Sequence, residues 1–201
     1  MAWNTALFML LNAATHPSPA MQAVATALAS SPLLLAPALL TGLWIWGDPA
    51  RRPALLAVAG GVFVGQTVNV LLGLAWYEPR PFMEGVGHTW LVHAPDNGFP
   101  SDHATLAWSL GLGLALTGAA RLWAVVACLC GIAAGWARVY LGVHYPVDVL
   151  VSAPVGLVAG TAARLVVPLM RTWVCPPIER LYEAVLAYAP SRLPIPRRPI
   201  R

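Results

Sequence analysis

Along the chain, long apolar stretches alternate with short segments that collect nearly all of the charge. A helix crossing a hydrocarbon core needs roughly 20 apolar residues. Five stretches approach or reach that length: residues 24–46, 53–76, 104–120, 122–141 and 149–170. The third is the shortest and needs flanking residues to complete it. Residues 1–15 are apolar but short, which predicts an interfacial or re-entrant helix with Trp3 at the boundary, a sixth span being the alternative. No basic stretch precedes their apolar run, so they do not read as a cleaved signal peptide. Neither an internal repeat nor a low-complexity tract is visible. The expected architecture is therefore an all-α integral membrane protein, a bundle of five to six transmembrane helices with an N-terminal interfacial or re-entrant helix. Residues 1–175 form its membrane-embedded domain, and 176–201 a tail rich in arginine and proline with an amphipathic piece at 178–188.

Composition supports the pattern. Of 201 residues 58% are hydrophobic and 10% charged, whereas soluble domains carry roughly 25% charged residues. All twelve basic residues are arginine, and the net charge is +4. No basic stripe interleaves with aromatics, which argues against nucleic acid as a partner. Cys128, Cys130 and Cys175 have neither zinc-site spacing nor the look of a disulfide framework.

Alternating spans sort the connections onto two sides. One side holds Arg51, Arg52, Arg121, Arg171, Arg180, Arg192, Arg197, Arg198 and Arg201; near the other the only arginines are Arg80 and Arg138. Arginine-rich short loops stay cytoplasmic, so the second side is expected to face outward and the C-terminus inward. That outer side collects all five histidines and five of the eight carboxylates. Arg138, near the outer end of its span, is costly to bury and needs a counter-charge.

Three segments carry candidate chemistry: Glu78-Pro79-Arg80-Pro81-Phe82, Phe99-Pro100-Ser101-Asp102-His103, and the run from Arg138 through His144 to Asp148. Helix parity puts all three at one membrane face. Pro100-Ser101 reads as a helix start, where free backbone N–H groups and the helix dipole favour a phosphate. Arg80 and Arg138 offer forked, permanently charged donors for phosphate oxygens. Pro146 fits a first helical turn, placing Asp148 in that turn and His144 just before it. Asp148 can then accept a proton from one ring nitrogen of His144 and leave the other free to attack. His103 is a second imidazole, placed to protonate a leaving oxygen. Asp102 either holds His103 or caps the helix, and Glu78 and Glu84 either orient arginines or solvate their loop. That loop, 77–103, is long enough to be functional, with part of it over the site and Phe82, Met83 and Trp90 bordering a lipid entrance.

These segments resemble the three signature motifs of the type-2 phosphatidic acid phosphatase superfamily of lipid phosphatases, from about Trp76 to Asp148. The likeness extends to bacterial undecaprenyl-diphosphatases of the bacitracin-resistance type through Arg80-Pro81-Phe82, Gly85-Val86-Gly87-His88, His93-Ala94, Asp102 within Phe99–His103, and Arg138-Val-Tyr-Leu-Gly-Val-His144. Asn12-Ala13 and the arginine-rich tail fit as well. The resemblance implies His144 as nucleophile forming a phosphohistidine, Asp148 as its orienting partner, and His103 as general acid and then base. It implies Arg80, Arg138 and Ser101, with Asp102 beside them, as the phosphate-binding set, with no metal or cofactor. The implied substrate is a polyprenyl diphosphate, turned over at the outer face of a bacterial inner membrane in the recycling of a cell-wall lipid carrier. Other lipid phosphates, phosphate transfer to lipid A, and a non-catalytic lipid transporter are the alternatives. A metal site at His103, His144 and Asp148 is disfavoured because the arginines repel a cation. Two departures stand out. The superfamily's lysine seven positions before the first-motif arginine is Gly73 here, with His88, His93 or backbone N–H groups as candidates to compensate. Ala137 occupies a position where serine is frequent.

Overall fold

Local chemistry sets where each apolar stretch begins and ends as a helix. The computed structural model describes residues 2–188, which contain no β-strand. Helix α1 spans Ala2–Leu11 and α2 spans Pro19–Trp46. The Ser18 hydroxyl accepts from the Met21 N–H at 3.2 Å with Pro19 in the first position, so α2 starts five residues earlier than expected. A 3₁₀ turn, Pro49–Arg51, leads into α3 (Arg52–Ala75). Then come α4 (Asp102–Thr117), ended by Gly118 at φ +70°, and α5 (Arg121–Tyr140).

The expected last span is part of a longer run. Helices α6 (Pro146–Leu150) and α7 (Ser152–Leu169), a π-helical turn Met170–Val174, and α8 (Cys175–Tyr188) succeed one another without a break. Pro176 and Pro177 lie in the first turn of α8, directly behind the π-helical turn, and the run continues through them. The arginines expected in the tail at 192, 197, 198 and 201 lie outside the described residues.

Four helical segments are long and apolar enough to cross a membrane: Pro19–Trp46, Pro49–Ala75, Arg121–Tyr140 and Pro146–Tyr188. Helix α4 has 16 residues, about 24 Å of rise, yet it connects the two ends of the bundle. Near its start, Asn69 near the end of α3 donates to the Pro100 carbonyl at 3.3 Å. Beyond its end, Arg51 at the other end of α3 donates to the carbonyls of Gly118 (2.8 Å) and Ala119 (3.0 Å). Helices α2, α3, α5 and α7 surround α4, and most of its residues are shielded. At 10 residues α1 is too short to be a sixth span. It lies against α5 and α6, its Phe8 ring edge-on to Tyr145 at 5.3 Å and the Asn4 side chain accepting from the Val147 N–H.

Helices in lipid associate through close packing rather than through a hydrophobic drive. Gly156 and Gly160, one turn apart on α7, let its backbone approach α4. A Cβ at Gly156 would lie 2.7 Å from the Trp108 carbonyl carbon, and one at Gly160 2.9 Å from that of Leu112. At the opposite end, Arg52 is buried rather than exposed in a loop. Its guanidinium lies 5.0 Å from both the Trp44 and Tyr182 rings and pairs with Glu179 at 3.2 Å, fastening α8 to α2 and α3.

Candidate active site

Two connections, α3–α4 and α5–α6, and the last turn of α5 deliver the buried polar groups to one end of the bundle. Arg80 precedes the short turn Pro81–Glu84, Ser101 is the N-terminal cap residue of α4, and Arg138 stands in the last turn of α5. His144 lies just before α6, and Asp148 in its first turn. All five are at least 96% buried. Pinning is mutual: the Ser101 N–H donates to the Asp148 carbonyl at 3.0 Å, and the Ser152 hydroxyl donates to the Ser101 and Asp148 carbonyls.

Arg80 is anchored by both connections. Its Nε donates to Asp96 Oδ1 at 2.8 Å, Nη1 to the Val143 carbonyl at 2.9 Å, and Nη2 to the Asn97 carbonyl at 3.2 Å. Nη1 also lies 3.1 Å from His144 Nε2. A guanidinium can only donate, so Nε2 carries the lone pair and Nδ1 the proton. Nδ1 faces Asp148 Oδ2 at 3.4 Å, and that oxygen also accepts from the Tyr145 N–H at 2.8 Å. Burial, and then the charges of Arg138 and Arg80, lower the pKa of His144 well below its ordinary value, so the imidazole rests neutral. The result is a neutral imidazole with an oriented lone pair among two cations.

Three polar atoms here are buried without a partner: the Ser101 hydroxyl, Arg138 Nε and Asp148 Oδ1. Buried polar groups are nearly always paired, so the two orphaned donors, the Ser101 hydroxyl and Arg138 Nε, suit an incoming anion beside the His144 imidazole. Asp102 Oδ1 accepts from His103 Nδ1 at 2.8 Å and from the His103 N–H at 2.9 Å, and lies 3.7 Å from Arg138 Nη2. Between the two readings of Asp102, the contacts select holding His103; the cap position belongs to Ser101.

Other loop expectations resolve differently. Glu84 accepts from the Tyr145 hydroxyl at 2.6 Å and Glu78 from the Trp76 indole N–H at 3.2 Å, so the described contacts place neither on an arginine. Asp96 takes that part, and the Asn97 amide braces the loop by donating to the Gly73 and Trp76 carbonyls. Sequence reasoning missed both, together with Ser152 and Asn69. Their only signal was polarity close to the motifs. Phe82 is half-buried and Met83 exposed, while Trp90 packs beside Leu28, Ala29 and Ala137 between α2 and α5. His88 turns to the N-terminal segment, its Nε2 3.2 Å from the Thr15 hydroxyl and its N–H donated to Asn12. His93 enters the site, with Nε2 3.4 Å from Arg138 Nη2.

Residues 54–171 match the PAP2 superfamily, and this segment contains every one of these buried groups. The chain belongs to the PAP2 superfamily. Its relatives include "Putative undecaprenyl-diphosphatase YbjG" of Escherichia coli (strain K12), 33% identical over 81% of this chain and 82% of that one. Undecaprenyl-diphosphatase BcrC of Bacillus subtilis (strain 168) is 28% identical over 91% and 93%. The crystal structure of Aquifex aeolicus LpxE has the same PAP2 fold, with a TM-score of 0.69 at 24% identity, over 81% of this chain and 95% of that one.

At the position of the first-motif lysine, Gly73 sits close against the loop before α4. A Cβ at Gly73 would sit 3.1 Å from the Phe99 carbonyl oxygen and 3.3 Å from Asn97 Nδ2. A longer side chain presses on the segment that carries Arg80's acceptors and leads to Ser101. Restoring the lysine as Gly73→Lys is therefore expected to lower activity at least ~10-fold, as a misplaced catalytic group does. Steady-state turnover checks this, and a gain in activity contradicts it.

Proposed function

We propose that this PAP2 protein hydrolyses a polyprenyl diphosphate, best represented by undecaprenyl diphosphate, to the lipid monophosphate and inorganic phosphate. The observation that carries the reading is His144 itself: neutral, with Nε2 held by Arg80, Nδ1 facing buried Asp148, and unpartnered Ser101 and Arg138 donors alongside. The names of its relatives supply the substrate class.

In this mechanism the incoming phosphate draws the Arg80 Nη1 donor away from Nε2, whose freed lone pair attacks the terminal phosphorus as the bridging P–O bond breaks. His103 gives its proton to the departing lipid monophosphate. Water, losing a proton to the now neutral His103, then attacks the phosphorus and releases inorganic phosphate from Nε2. Arg80, Arg138 and Ser101 stabilise the charge on the equatorial oxygens, as phosphoryl transfer requires. Asp148 compensates the positive charge on the imidazole, while Asp102 keeps His103 in place. The guanidinium charges stand where a metal would otherwise be needed, and activity in EDTA is the expected result. Arg51, Arg121, Arg171 and Arg180 lie toward the opposite end from the site, which supports an outward-facing site and a cytoplasmic C-terminus. Such a protein returns a lipid carrier for another round of cell-wall synthesis.

The test is phosphate release by the purified protein across lipid mono- and diphosphates, with acid quenching avoided so that a phosphohistidine survives. Turnover of prenyl diphosphates with a label trapped on His144 supports the reading. Preference for a glycerolipid phosphate, or no turnover, defeats it. The pH profile is expected to be bell-shaped. His144 must be neutral, and its lowered pKa carries the acid limb below pH 6.5. The proton donated to the leaving group must also be in place, so activity is expected to fall on the alkaline side as well. A rate constant from pH 5 to 9 contradicts that pairing.

A further inference from the structure

The described phosphate pocket contains a third imidazole with no part in the mechanism above. His93 stands in the loop between α3 and α4, with its side chain 20% exposed. Its Nε2 lies 3.4 Å from Arg138 Nη2, and its ring centre 6.5 Å from that of His144, nearly perpendicular to it. On the other side, Nδ1 lies 3.1 Å from the Ala94 carbonyl and 3.7 Å from Asp96 Oδ1, the oxygen that accepts from Arg80 Nε. One carboxylate oxygen thus faces both His93 and Arg80.

We propose that His93 is a diphosphate-binding residue, a third cation formed when substrate arrives, which makes this site prefer diphosphate over monophosphate esters. The inference rests on the lipid-phosphatase reading above. Arg138 can only donate to Nε2, so the resting ring carries its proton on Nδ1 and is neutral. Burial, with the charges of Arg80 and Arg138, lowers its pKa in that state. The charged and titratable groups facing it are Arg80, Arg138, Asp96 and His144. A multiply charged anion seated among the arginines reverses this balance. Nε2 then takes up one proton, from the substrate phosphate or from water, and donates it in a hydrogen bond to a phosphate oxygen. His93 is offset from His144, so it reaches the phosphate next to the one under attack, a group that a monophosphate ester lacks. This chain has no lysine anywhere, and the usual lysine position is Gly73. A titrating cation on the loop makes up the charge from the other side of the pocket.

The test uses the full-length purified protein with a prenyl diphosphate and the monophosphate of the same chain length. For His93→Ala, KM for the diphosphate is expected to rise at least ~10-fold with kcat within about 3-fold, the pattern of lost binding energy rather than lost chemistry. The diphosphate-to-monophosphate ratio of kcat/KM then falls by a similar factor. His93→Gln keeps a donor without charge. It is expected to recover part of the affinity and to lose the rise of KM above neutrality that the proposal predicts for the wild type. An unchanged ratio in His93→Ala, or equal losses on both esters in both variants, overturns the inference while leaving the phosphatase reading intact. A wild type that turns over neither ester defeats both.

Discussion

Replacing His144 by alanine is expected to lower phosphate release from a lipid diphosphate at least ~10³-fold, about 4 kcal/mol of transition-state stabilisation. The reason is local. Arg80 keeps its bonds to Asp96, Asn97 and Val143 without the imidazole, so the anion site survives while the attacking lone pair disappears. Substrate binding is expected to persist, and retention of a non-hydrolysable diphosphate analogue separates loss of chemistry from loss of fold. A carrier that only binds head groups through its arginines is indifferent to this change. An alanine variant with a tenth or more of wild-type turnover removes His144 from the role of nucleophile.

Asp148→Asn is the second large effect, expected to reduce kcat about 10³- to 10⁴-fold with KM little changed, the range known for the same exchange behind a catalytic histidine in another enzyme class. Asparagine is nearly isosteric, and its amide oxygen can still accept from the Tyr145 N–H that Asp148 Oδ2 holds at 2.8 Å. The turn before α6 is therefore retained. What goes is the carboxyl group 3.4 Å from His144 Nδ1 that, in the proposed mechanism, fixes the tautomer and carries the compensating charge as the imidazolium forms. Turnover at saturating substrate, beside an unchanged circular dichroism spectrum, measures it. A kcat within 10-fold of wild type makes Asp148 a helix-capping residue only.

Much of this arrangement is readable before any coordinates. Hydropathy locates the spans, and Pro146 followed by an acid in the first turn announces the helix that presents His144. Ser101 at a helix start is equally local. Contacts made through loops are not legible in the same way. Three carboxylates, at 78, 84 and 96, stand in the same long connection with no periodicity to rank them, and only folding assigns Asp96 to Arg80. Arg52 reads as a loop cation, and its burial depends on Trp44 and Tyr182 from distant parts of the chain. The Cys-Pro-Pro step at 175–177 looks like a terminator, yet the helical run continues through it, directly behind the π-helical turn. Loop pairing and proline context are tertiary facts, whereas hydropathy and capping are local ones.

The shielding of α4 bears on how the protein meets bilayers of different composition. Acyl-chain mismatch acts on the helices that lipids touch, which tilt or deform in response. Ser101 and His103 begin a helix that is wrapped almost wholly by its neighbours. The depth of these two side chains is thus referenced to the protein's own interior, and a thicker or thinner bilayer is expected to re-tilt the outer staves before it disturbs the candidate site.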